Sequence, residues 1–167
     1  LNKEPRPKIF WEEIGELKRQ YSVSIIIDNS ISCFGDISRD HSFKIIRELL
    51  SPLIYLEISK LDIILTSNKS PLILCSDVDS QSCLKADSPL WIGLFKYLQE
   101  PYYGCDLSSA LNFVYNINKE RNEYTKRIFV LTDGLYERKD QAYISRQIQN
   151  CTQLDMNIIG IGIDRKS

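Results

Sequence analysis

Residues 23–27, Val-Ser-Ile-Ile-Ile, constrain this chain more than any other stretch. Side chains branched at Cβ crowd a helix and sit well on a pleated strand. This run is apolar except for Ser24, so it predicts a central strand covered on both faces. The run stops at Asp28, and Ser30 and Ser32 follow at alternate positions. One short loop at a strand's carboxyl end thus offers a carboxylate and two hydroxyls. Such oxygens suit a hard divalent cation, and a ligand can fill any open coordination position.

A second run, Ile128-Phe129-Val130-Leu131-Thr132, also ends at an aspartate, Asp133, followed by Gly134. Between the two lies Gly104-Cys105-Asp106-Leu107-Ser108, a loop opening a helix predicted over 107–118. Further helices are predicted over 41–58, where Pro52 should kink or divide the helix, over 89–100 and over 139–152. Strands are expected at 61–66, 72–75 and 157–163. The turn at 67–71 is too short for a crossover helix, so strands 61–66 and 72–75 should be antiparallel. Residues 33–39 and 76–88 are expected as loops; the acids of 76–88 lack the pattern of a calcium-binding EF-hand loop.

Strands alternating with helices imply an α/β fold. The sheet should be doubly wound and mostly parallel, with one antiparallel edge strand and helices on both faces. Strand 23–27 should lie at the centre, between 61–66 and 127–132. Ligands of such sheets sit outside the carboxyl ends of the strands, at the topological switch point. Asp28 and Asp133, far apart in sequence, should converge there.

These three segments resemble the metal-ion-dependent adhesion site (MIDAS) of von Willebrand factor A domains. That family carries Asp-x-Ser-x-Ser after its first strand, a threonine in a Gly-rich loop, and Asp-Gly after its fourth strand. Asp28, Ser30 and Ser32 match the first element and Asp133 the last. Cys105 stands where the threonine is expected, a departure, since a thiol is softer than a hydroxyl; Asp106 or Ser108 could compensate. The resemblance runs from about Tyr21 to about Asp164. It implies strand order 3-2-1-4-5, a metal site built from Asp28, Ser30, Ser32, Cys105, Asp106 and Asp133, and Mg²⁺ or Mn²⁺ as its ion. It further implies a protein-interaction domain whose metal grips an Asp or Glu of a protein partner. The alternative is a metal-free scaffold that kept the fold inside a larger complex.

Composition bounds the rest. A chain of 167 residues, 43% hydrophobic, can bury one core, so residues 21–167 are expected as a single domain cut from a longer protein. Residues 1–20 are expected as a linker or N-terminal arm. A net charge of −1 makes no electrostatic case for nucleic acid or an anionic membrane. No apolar run approaches the roughly 20 residues of a membrane span. The five cysteines form no Cys-x-x-Cys pair and read as buried free thiols, which favours an intracellular over an extracellular setting. Nothing in the sequence ties the single histidine, His41, to a serine or cysteine nucleophile. No phosphate-binding glycine loop follows a strand, and a phosphatase-type Asp-x-Asp is broken by Ser30. The expectation is a binding domain rather than an enzyme.

Overall fold

The computed structural model describes residues 20–34, 39–98, 106–134 and 138–163. The N-terminal arm, residues 35–38 of the predicted 33–39 loop, and Cys105 lie outside the described residues. The elements run β1 (Tyr21–Ile27), α1 (Ile31–Phe34), α2 (Arg39–Leu50), a 3₁₀ helix (Ser51–Leu56), β2 (Lys60–Leu65), β3 (Leu72–Val78), α3 (Ser80–Leu84), α4 (Pro89–Leu98), α5 (Leu107–Lys119), β4 (Thr125–Thr132), α6 (Arg138–Gln153) and β5 (Met156–Gly162).

The strands form one sheet in the order β3-β2-β1-β4-β5. β1 lies at the centre and pairs in parallel with β2 and β4. β5 is parallel to β4, and β3 runs antiparallel along the other edge. The expected fold class and strand order are therefore found. Pro52 also acts as expected. It lacks an amide hydrogen and its ring clashes with the carbonyl four residues back, so α2 stops at Leu50 and the chain tightens into the 3₁₀ helix.

Side chains on β1 alternate between two cores. Val23, Ile25 and Ile27 face one side with Leu61, Ile63 and Leu65, under α2 and α4. There Phe43 meets Trp91 and Phe95 edge-on, with ring centroids 6.5 and 5.4 Å apart. Ile26 and Ile64 face the other side, under Leu107, Ala110, Leu111 and Val114 of α5 and Cys151 of α6. Burial on both faces explains why the 23–27 run has no water-facing stripe.

Three expectations are corrected. First, residues 76–88 are not a plain solvated loop. β3 continues to Val78 through a bulge, and Asp79 caps α3 by accepting the Ser82 amide at 2.8 Å. Second, Cys33 lies in the short helix α1 rather than in a loop. Third, Cys75 of β3 and Cys83 of α3 form a disulfide, while Cys33 and Cys151 are buried free thiols. A cross-link eight residues apart in sequence became possible only because the bulge and α3 fold back on each other. The disulfide removes the ground on which an intracellular setting was favoured. Among the described residues no helix is long and apolar enough to cross a membrane.

Candidate metal centre

The site begins with strand register. Ile27 pairs with Leu131, and the Asp28 amide donates to the Leu131 carbonyl at 2.9 Å. On the opposite side the Thr66 amide donates to the Ile27 carbonyl at 2.9 Å. Three strand ends are thus level, and they bring Asp28, Thr66 and Thr132 together. Asp133 follows one residue later, and Gly134 takes a left-handed conformation at φ 75° that lets the chain turn away.

Asp28 is 2% exposed. Its carboxylate accepts from the Ser30 amide at 3.1 Å, the Thr132 hydroxyl at 2.8 Å and the Thr66 hydroxyl at 3.4 Å. These three donors are all neutral groups, so none of them brings a positive charge to the carboxylate. The Ser30 and Ser32 hydroxyls lie 2.8 Å apart. Ser30 also opens α1, its carbonyl accepting from the Cys33 and Phe34 amides at 3.1 Å. Asn29, fully buried, points its amide group to the Tyr97 carbonyl at 3.2 Å and so ties the loop to the end of α4.

The short helix brings in a residue that the sequence reading passed over. The Cys33 sulfur accepts the Asp133 amide at 3.2 Å. One carboxylate oxygen each from Asp28 and Asp133 and the Cys33 sulfur all lie within 4.8 Å of one another. Burial, then the neighbouring Asp28 carboxylate, pushes the Cys33 thiol up to about 12. Without a cation it is a neutral thiol. The signal for Cys33, Thr66 and Thr132 was present in the sequence: each is at, or one turn beyond, the carboxyl end of a strand flanking the switch point.

Of the six residues expected here, Asp28, Ser30, Ser32 and Asp133 come to this one strand-end cluster. Asp106 caps α5, accepting from the Ser109 amide at 2.9 Å and from the Ser109 hydroxyl. Its own amide donates to the Ser67 carbonyl at 2.9 Å, which anchors the start of α5 beside the end of β2. Asp106 is not part of the group formed by Asp28, Cys33 and Asp133. The donor set fits a divalent cation: two carboxylates within reach of one ion and two hydroxyls beside them.

This geometry and topology define a class: the chain has the fold of von Willebrand factor A domains. The manganese-loaded TRAP protein of Plasmodium vivax superposes with a TM-score of 0.63 at 18% identity, over 89% of this chain and 59% of that one. The N-terminal domain of TFIIH p34 superposes with a TM-score of 0.63 at 12% identity, over 87% of this chain and 81% of that one. BatB from Bacteroides thetaiotaomicron does so with a TM-score of 0.57 at 16% identity, over 85% and 66%. This chain therefore spans 59% of the TRAP structure. No family model and no curated protein matches the sequence.

Proposed function

We propose that this chain is a protein-interaction domain that binds a divalent cation at the ends of β1 and β4 and uses it to hold an Asp or Glu of a protein partner. The observation that carries the reading is the convergence of Asp28 and Asp133, 105 residues apart, on one small volume with Ser30 and Ser32 at its rim. Like charges so placed repel unless a cation or a proton intervenes. Asp28 and Asp133 would supply charge and the serines neutral oxygens. Cys105 and Asp106 would complete the protein side, directly or through water. A cation with so few anionic protein ligands stays electrophilic, and a carboxylate from outside completes its shell. One solved relative of the fold is described as manganese-loaded, which supports Mn²⁺ or Mg²⁺ as the first ions to try. The domain works in this reading by binding and not by catalysis, in an adhesion-like setting or within an intracellular assembly.

A metal-free scaffold is the second reading. It draws on the three protein donors that already serve Asp28. Isothermal titration with Mg²⁺ and Mn²⁺ separates the two. The metal reading expects saturable binding to the wild type and none to Asp28→Ala. No heat from either ion with the wild type leaves the scaffold reading standing. Acidic peptides added to the loaded domain then test the partner: binding should disappear with EDTA.

A further inference from the structure

The site holds a soft donor as well as hard ones, and this sets which ion it takes. Cys33 sits at the base of the Asp28–Asp133 cluster because α1 starts immediately after Ser30. Its amide is held by the Ser30 carbonyl at 3.1 Å and lies 3.3 Å from the Ser30 hydroxyl. Its sulfur is fixed from the other side by the Asp133 amide. The side chain is 1% exposed, so it is aimed inward and does not sample solvent.

We infer that Cys33 is a direct ligand and that the site prefers zinc, or another borderline-to-soft cation, over Mg²⁺. The inference rests on the proposed metal site and names its ion. Zinc bonds sulfur at about 2.3 Å and carboxylate oxygen at about 2.0–2.2 Å. At the tetrahedral angle two ligand atoms of one such ion are therefore about 3.4–3.6 Å apart. The donors of Asp28, Cys33 and Asp133 lie within 4.8 Å of one another, so side-chain rotations that bring them closer by up to about 1 Å close the set. Two carboxylates and a thiolate make three protein ligands. A fourth, open position is the arrangement of zinc sites that accept an outside ligand. Magnesium, which demands near-ideal octahedral oxygen geometry, gains nothing from sulfur. On coordination the Cys33 S–H proton leaves to solvent and the sulfur lone pair bonds the ion, so binding releases a proton. The partner chemistry stays the same, a carboxylate, but the ion that bridges to it differs.

Cobalt(II) reports the ligand directly, because a thiolate on cobalt gives a sulfur-to-metal charge-transfer band in the near ultraviolet. The wild-type domain titrated with Co²⁺ should develop that band. Cys151→Ser, at a buried thiol in the core under α5 and α6, should keep it, and Cys33→Ser should lose it while still binding Mn²⁺. In Cys33→Ser, Zn²⁺ affinity should fall by at least about tenfold and Mg²⁺ affinity should hardly change. Circular dichroism of each variant shows that it is folded, and the wild-type spectrum stands even if one is not. Co²⁺ or Mn²⁺ binding with no sulfur band overturns the role of Cys33 and leaves the metal site intact. A band that survives in Cys33→Ser and vanishes in Cys105→Ser overturns it equally. Failure of every ion to bind overturns both readings.

Discussion

The two buried acids Asp28 and Asp62 are held in different ways. Asp28 meets only neutral hydrogen-bond donors, the Ser30 amide and the Thr66 and Thr132 hydroxyls. Asp62, fully buried on β2, is neutralised outright. The Arg121 guanidinium grips it with both arms, each at 2.7 Å, and Ser24, Ser76 and the Asp77 amide add donors at 2.6, 2.8 and 3.0 Å. Removing one partner of such a pair strands the other, at a cost of about 3–5 kcal/mol. Arg121→Ala should therefore destabilise by about that amount in urea unfolding, far more than a surface arginine would. A loss below about 1 kcal/mol would mean that water reaches Asp62. Cys105 provides a second test at this scale. If the oxygen ligands govern binding, Cys105→Thr should tighten Mg²⁺ by restoring a hard hydroxyl, as calorimetry would show. Equal affinity would remove position 105 from the site.

At the scale of elements, the edge formed by β3 and α3 is the least self-sufficient part. β3 is a bulged, half-exposed strand, and α3 is five residues long, too short to hold itself as a helix. Asp77 even takes a left-handed conformation, φ 59°, so that its amide can reach Asp62. The Cys75–Cys83 disulfide ties these two weak elements together. Closing so short a loop constrains the unfolded chain by roughly 2–3 kcal/mol in the entropic account. Treatment with a reductant, or the double change Cys75→Ser and Cys83→Ser, should lower the melting temperature by several degrees. It should leave Mn²⁺ binding in place, because the cross-link is on the opposite edge of β2 from the metal cluster. Unchanged melting would show that the disulfide contributes nothing to stability.

For the molecule as a whole, the two ends of the β1–α5 layer have opposite characters. The carboxyl end of β1 gathers the acids Asp28 and Asp133 around the Cys33 sulfur. The amino end gathers a closed polar network in which Asn118 accepts from Ser22 at 2.6 Å and donates to Ser24 at 2.9 Å, with Arg121 and Asp62 beside them. Burial alone would raise Asp62, but Arg121 and the serine hydroxyls outweigh it and hold the carboxyl below its ordinary range. A carboxyl depressed in the folded state stabilises fully above its unfolded value of about 3.9, and that contribution fades as pH falls through the lower folded value. Stability measured by denaturant between pH 7 and pH 2 should therefore decline in the acid range. Arg121→Ala, already lacking the pair, should show a shallower decline. An identical acid profile in wild type and variant would mean that Asp62 is not the group responsible.

The sequence by itself determined the layers. β-branched runs at 23–27 and 128–132, helical spacing between them and Pro52 as a break are local properties, set by sterics within a few residues. They were enough for the α/β class, the central place of β1 and the strand-end position of Asp28 and Asp133. Tertiary structure decided what no local pattern encodes. The level register of three strands placed Thr66 and Thr132 on Asp28. The turn of α1 brought Cys33 beneath Asp133. The bulge in β3 paired Cys75 with Cys83, and the end of α5 laid Arg121 across Asp62. Each of these contacts joins residues whose meeting depends on how whole elements stack. A thiol in a helix and a thiol in a loop read alike until the fold shows what each one faces.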